Sequence, residues 1–315
     1  MVIITKVKKE EFGRILKNYG LGTYRNSEHV EEALENTVYK VRSSKGLWII
    51  KIFEETADKD IRYQQRIEQY LQEKGLPTPR TLKNKQGRKI NEYKKKTLIV
   101  QECINGRKPR RKEITEELAR EIGTVTGKID RELQALRIGY RPKPKKEHQF
   151  IDRRMRKKEI EYVKKEEKLM SEMKKINRKK LRKGIIHADI TRSNMLISRG
   201  KLKAVIDWGD SCEDYIAQEM AVTIAQSFIR RGRVIKSKIR AYLKGYNKEM
   251  PMNDEEKKAV YYFAKKRMIG ASAWFLEQAR RHEDKKEELL EWTKEMMENY
   301  DGLNKLTIKE WKKLW

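Results

Sequence analysis

Between Gly184 and Asp210 the chain reads GIIHADITRSNMLISRGKLKAVIDWGD. Three oxygen-bearing side chains stand at set spacings in this stretch. Asp189 and Asn194 lie inside an H-x-D-x-x-x-x-N pattern that begins at His187, and Asp207 closes the apolar run AVID. Transfer of a phosphoryl group needs such a set: one carboxylate to meet the acceptor hydroxyl, and an amide oxygen plus a second carboxylate to hold Mg²⁺ against the phosphates. Asp189 suits the first role, and Asn194 and Asp207 suit the second. Mg²⁺ takes hard oxygen ligands and keeps several waters, so two protein ligands suffice. The loop from Asp189 to Asn194 is expected to fold back so that both side chains reach one cleft. Met195–Ile197 and Lys203–Ile206 are expected to form a hairpin that delivers Asp207 beside them. Taken singly, Asp189 and Asn194 are ordinary turn residues and Asp207 an ordinary strand terminator. The set, its flanking strands, a strand lysine upstream and a helical remainder agree with one another, and that agreement carries the reading.

Composition removes several other classes. Two cysteines, Cys103 and Cys212, cannot build a disulfide scaffold or a four-thiolate zinc site. The histidines His29, His148, His187 and His282 are scattered, with no H-E-x-x-H spacing. No G-x-x-x-x-G-K-[ST] or G-x-G-x-x-G occurs, so P-loop and dinucleotide-binding readings have no support. The start, MVIITKVKKEEFG, meets charge too early for a signal peptide, and no apolar run reaches the ~18 residues of a membrane span. The expectation is a soluble, cytoplasmic protein. A length of 315 residues allows one large domain or two lobes.

The first third reads β-β-α-β-β. ENTVYKVRSSKGLWIIKIFE looks like two strands around a turn at Ser43–Gly46, and in WIIKIF the flanking Ile50 and Ile52 face the opposite side from Lys51. DKDIRYQQRIEQYLQEKG has Ile61, Ile67, Tyr70 and Leu71 near helical spacing and stops at Gly75. LPTPRTL is held extended by its prolines, and KKTLIVQECING is a further strand. From about Glu113 the pattern turns helical: Ile114, Leu118, Ile122, Val125, Ile129, Leu133 and Leu136 step by three or four. Arg141–Lys183 follows as a proline-containing connection and then a helix with a charged outer face. Its apolar positions are Ile160, Val163, Leu169, Met170, Met173 and Ile176. After the Gly184–Asp210 stretch, helices run to the end.

HADITRSN followed by VIDWGD resembles the aminoglycoside phosphotransferase and choline kinase branch of the protein-kinase-like fold, and the resemblance runs nearly the whole chain. LENTVYKV, IIKIFE, KGLPTP and the C-terminal AYLKGYNKEMPMNDEEKKAVYYFAKKRMIGASAWFL look most like the type II homoserine kinase subgroup. That subgroup sometimes carries Arg at the place of Arg192, which the resemblance sets beside Asp189 as a catalytic residue. It makes Lys51 the strand lysine that pairs the α/β-phosphates, although many homoserine kinases lack a lysine there. Glu68 is the nearest helix acid to orient Lys51, among Gln64, Gln65 and Gln69. VQECING matches the hinge, where the Glu102 carbonyl and the Ile104 amide would bond the adenine edge, and LENTVYKV matches the nucleotide-covering turn. His187 is expected to hold the loop by packing and backbone bonds, Asp214 to cap or anchor a helix, and Cys212 to be inert. The loop is also similar to the HGDLTTSN loop of the small kinase in the tRNA threonylcarbamoyl-adenosine complex, a much shorter protein without this helical tail.

Lys and Arg together number 76 against 47 Asp and Glu, a formal charge of +29. Such a charge attracts anions and says nothing of fold. The dense runs Lys143–Lys146 and Arg153–Lys158 are either solvated helix faces or a phosphate-backbone footprint, with only Phe150 and Tyr162 as nearby aromatics. The expected protein is an α+β, two-lobed, kinase-like phosphotransferase. Its small antiparallel-sheet lobe spans residues 1–104 and its mainly helical lobe spans 105–315. It would use ATP and Mg²⁺ to phosphorylate a hydroxyl of a small molecule, a homoserine-like amino alcohol before choline, ethanolamine, a sugar or an aminoglycoside. The competing class is a basic, nucleic-acid-associated protein that keeps the fold without that activity.

Overall fold

The structure, a computed structural model, describes residues 5–31, 33, 35–142 and 160–315; the basic runs Lys143–Lys146 and Arg153–Lys158, and Leu34 of the LENTVYKV segment, lie outside them. Two units divide the chain: Met1–Gly106 with Lys203–Gly209, and Arg107–Leu202 with Asp210–Trp315.

In the first unit, strands β1 (Tyr24–His29), β2 (Thr37–Ser43), β3 (Gly46–Phe53), β4 (Asn91–Tyr93) and β5 (Lys96–Glu102) form one sheet in the order β1-β2-β3-β5-β4. Every neighbouring pair is antiparallel, as the alternating pattern of β2 and β3 requires. The register sets Lys51 opposite Val38 on one side and Ile99 on the other. The β-β-α-β-β order expected from the sequence is corrected at its fourth element: LPTPRTL contributes only an isolated bridge from Thr81 to Gln101, and the short strand beside β5 is β4, while helix α1 (Lys9–Tyr19) and the edge strand β1 precede the expected elements. β1 reads YRNSEH and buries none of its residues fully. An edge strand with polar side chains carries little hydrophobic signal.

Period-2 alternation separates the two faces of this sheet. Ile50, Ile52, Leu98 and Val100 pack with Phe12, Leu16 and Tyr19 of α1 on one face. Phe53 and Ile99 pack with Ile61 of helix α2 (Asp58–Glu73) on the other. Lys51, between Ile50 and Ile52, therefore shares the α2 face. Each buried Ile or Leu contributes about 1.5–3 kcal/mol, so the side on which Lys51 emerges is held by the core on both faces.

The second unit is mainly helical: α3 (Glu116–Ala135), α4 (Ile160–Met173), α5 (Ile216–Ser227), α6 (Lys236–Glu249), α7 (Asp254–Arg281), α8 (Lys286–Asn304) and α9 (Ile308–Lys312). The apolar stripe of α3 is buried at Leu118, Ile122, Ile129 and Leu133. Glycines bring α3 against α6 backbone to backbone: a Cβ on Gly123 would stand 2.0 Å from the Tyr242 carbonyl oxygen, and one on Gly245 2.1 Å from that of Arg120. On α4, Leu169 and Met173 are buried while Met170 is 40% exposed, so the inward stripe is narrower than the sequence suggested. Strand β6 (Lys183–Ile186) pairs with β9 (Cys212–Tyr215), β7 (Met195–Ser198) with β8 (Lys201–Val205), and β10 (Ile229–Arg230) with β11 (Arg233–Val234). No helix among the described residues is long and apolar enough to cross a membrane.

Candidate active site

Strand β6 leads into the H-x-D loop, and α5 holds that loop by its backbone. Glu219 Oε2 accepts from the amides of His187 at 2.5 Å and Ala188 at 3.0 Å, and Thr223, one helical turn on, donates to the Ile190 carbonyl at 2.8 Å. Burial pushes the Glu219 carboxyl above its usual range, and His187 and the backbone donors pull it back. Burial likewise pushes Asp130 up, Glu219 adding to the shift. His187 is fully buried and accepts from the Asp189 amide at 3.2 Å through Nδ1. Ala188 takes φ +65°, a left-handed conformation that a non-glycine residue keeps only when its surroundings hold it there.

Both oxygens of Asp189 are oriented. Asn194 Nδ2 donates to Oδ2 at 2.6 Å and to the Asp189 carbonyl at 3.0 Å, which is the folding-back expected of the loop. Arg267 of α7 donates to Oδ1 from Nη2 at 2.6 Å. The side-chain amide of Gln226, at the end of α5, lies 3.0 Å from Arg267 Nε and Nη2; with its oxygen turned to them, the orientation that satisfies both residues, it accepts from each. Arg192 lies in the same loop, with Nη1 on the Pro109 carbonyl at 3.2 Å. Asp214 accepts from the Tyr215 amide at 2.7 Å just before α5 begins, and Cys212 is a buried thiol.

Lys51, Glu68 and Asp207 belong to the first unit. Lys51 Nζ lies 3.0 Å from Asp207 Oδ1 and 5.1 Å from the Phe53 ring centroid. Asp207 is presented by a turn in which it takes φ +62°, one of the residue types that tolerate this region. The turn is anchored beside it: the Val205 amide donates to the Pro77 carbonyl at 2.9 Å, and the buried Trp208 bonds the Val205 carbonyl at 3.3 Å. The Asp207 side chain is 53% exposed and that of Lys51 13%. At the end of β5, the Glu102 amide bonds the Arg80 carbonyl at 3.0 Å and its carboxylate pairs with Arg80; the half-buried Ile104 follows.

Glu68 sits inside α2, buried, and its carboxylate accepts from Gln65 at 3.0 Å, Thr81 at 3.3 Å and Gln101 at 3.1 Å. The ion pair of Lys51 is made with Asp207, not with Glu68, which acts on Lys51 across a longer distance. Burial lifts the Glu68 carboxyl from 4.5 to about 7, against the pull of Lys51 and its donors. The folded chain therefore holds a proton there that the unfolded chain has lost, and stability falls as pH rises between those two values. Glu68→Gln removes that dependence. The variant should gain on the wild type between pH 4.5 and about 7 by on the order of 3 kcal/mol, then stay level. Urea denaturation at a series of pH values measures this; a difference that does not change with pH would mean that Glu68 is ionised throughout.

Three of these residues carry no sequence motif. Glu219 leaves a faint trace as a lone acid in the apolar helix IAQEMAVTIA. Arg267 and Gln226 leave none, since each is an ordinary helix residue far from the loop it serves.

An antiparallel sheet with its helix, followed by a helical unit that carries the H-x-D loop, defines a protein-kinase-like fold. Solved structures share it. An amicoumacin kinase in complex with AMP-PNP and Ca²⁺ superposes with a TM-score of 0.75 at 16% identity, over 96% of this chain and 95% of that one. A microcompartment-associated aminopropanol kinase superposes with a TM-score of 0.68 at 15% identity, over 93% and 98%. Residues 28–252 match the profile of the phosphotransferase enzyme family, and the chain belongs to it: it is a small-molecule phosphotransferase. A homoserine kinase of Methylobacillus flagellatus is 26% identical over 272 residues, which span 81% of each chain.

Proposed function

We propose that this enzyme transfers the γ-phosphoryl group of ATP to the hydroxyl of a small hydroxy amino acid, homoserine or a close analogue. The observation that carries the reading is Asp189, a carboxylate with both oxygens aimed by fixed donors at the end of a backbone-anchored loop. In this reading Asp189 takes the acceptor's proton as its oxygen attacks the γ-phosphorus and ADP leaves. Lys51 pairs the α/β-phosphates, and Glu68 adds negative potential to it only above about pH 7, where its carboxyl is ionised. The Glu102 carbonyl and Ile104 amide bond the adenine edge. Arg192 serves to brace the loop, since its guanidinium reaches the Pro109 carbonyl. The donor chemistry fits a hard divalent cation such as Mg²⁺: Asp207 offers an exposed carboxylate, and the Asn194 amide nitrogen is engaged by Asp189, which leaves its oxygen as the ligand atom. When bound, that ion neutralises charge on the phosphates. The names of the curated relatives support homoserine as acceptor.

The test is ADP formation with Mg²⁺ and ATP across homoserine, serine, choline, ethanolamine, methylthioribose, simple sugars and aminoglycosides. Homoserine should give the highest kcat/KM, at least about tenfold above acceptors without a carboxylate. Turnover of choline or an aminoglycoside with none of any hydroxy amino acid would overturn the choice of acceptor.

A further inference from the structure

Arg267 stands out among the groups around Asp189 because two elements fix it. Its guanidinium donates to Asp189 Oδ1 at 2.6 Å and is held from α5 by Gln226 through Nε and Nη2 at 3.0 Å. Its position therefore does not depend on Asp189 alone. Its side chain is 16% exposed, within one hydrogen bond of the group that faces the acceptor hydroxyl. Asp189 has a second donor in Asn194 at 2.6 Å, so an arginine is more than the loop needs for its shape.

We propose that Arg267 is the specificity-determining residue for the acceptor, binding its carboxylate while Asp189 meets its hydroxyl. This rests on the reading of Asp189 as the proton acceptor. The Nε/Nη2 edge of the guanidinium, held at rest by the neutral Gln226 amide, is a planar fork that matches a carboxylate, so the acceptor's carboxylate displaces that amide from it; a carboxylate is what separates a hydroxy amino acid from an amino alcohol. The charges of the reaction favour the same match. When Asp189 takes the hydroxyl proton it becomes neutral, and Arg267 loses the negative charge at 2.6 Å just as the phosphoryl group moves. An acceptor that brings its own carboxylate replaces that charge; a purely cationic acceptor does not, and is repelled. The contact thus strengthens along the reaction, so it acts on kcat as well as KM.

The experiment compares L-homoserine with 3-aminopropan-1-ol, which keeps the chain, amine and hydroxyl and replaces the carboxylate by hydrogen. Wild type should favour homoserine by roughly 10²-fold in kcat/KM or more, because a site built around a carboxylate rejects the analogue that lacks it. Arg267→Gln should lower kcat/KM for homoserine by on the order of 10² and for aminopropanol by less than about tenfold, so that the preference collapses. Arg267→Lys, which keeps charge and loses the fork, should fall between them. A residue that only positions Asp189 would depress both acceptors equally and leave the ratio intact, and that result would overturn the proposal. If the Gln variant does not fold, the Lys variant and the wild-type ratio decide: an enzyme indifferent to the carboxylate refutes it. Homoserine turnover with a preference insensitive to Arg267 removes only this inference. Turnover of choline or aminoglycosides alone removes the functional reading and this one with it.

Discussion

Replacing Asp189 by Asn should cut turnover by on the order of 10²–10⁴-fold while leaving Mg·ATP affinity within about threefold. The substitution keeps the size of the side chain and removes its charge. It equals about 3–5 kcal/mol of lost transition-state stabilisation, the contribution of a positioned proton acceptor. The loop should keep its shape, because Glu219 and Thr223 hold its backbone and neither bond involves the Asp189 side chain. The new amide does bring a donor towards Asn194 or Arg267, both of which already donate to Asp189. Turnover, nucleotide affinity by calorimetry and the thermal midpoint are therefore measured together. Lost turnover with the other two unchanged fits a proton acceptor; wild-type turnover would remove Asp189 from that role.

The second large effect is expected at Asp207. Asp207→Ala should abolish the tightening of ATP binding by Mg²⁺, a loss of at least about 10–100-fold. The sign without metal is opposite. Asp207 lies 3.0 Å from the Lys51 ammonium and sets a negative charge beside the cation that would meet the phosphates. Removing it lifts a repulsion and frees Lys51, so metal-free ATP should bind the variant as tightly as wild type or tighter. Calorimetry with and without Mg²⁺ separates the two. If Mg·ATP binds the variant and the wild type equally well, Asp207 is not a metal ligand.

Local pattern carried some of this molecule far. The β2–β3 hairpin and the emergence of Lys51 opposite Ile50 and Ile52 follow from period-2 alternation alone. Asp189 and Asn194 could be paired on paper because only a short loop separates them. Helix α1 also wrote its stripe, Phe12, Ile15, Leu16 and Tyr19, though the lysines and glutamates between them obscured it. What stayed hidden depends on tertiary neighbours. β1 is a strand because β2 offers it an edge. The return of Lys203–Gly209 to the first unit is a long-range event. Asp207 rather than Glu68 as the ion-pair partner of Lys51 depends on side-chain reach across 156 residues. Arg267 answers to no motif, because an arginine on a helix reads as a solvated charge until its partner is known.

The spacing of the loop's supports along the chain also sets an order in time. Glu219 lies 32 residues beyond His187, and Arg267 lies 78 residues beyond Asp189. A ribosome adding about 5–20 residues per second makes the helix that anchors the loop backbone some 2–6 s after the loop, and the guanidinium some 4–16 s after it. The emerging enzyme thus acquires the scaffold of its H-x-D loop well before the cation that pairs with Asp189. The site is completed by α7, whose sequence gives no sign of it, and a chain released before α7 has been made carries every residue of the motif without the arginine that completes it.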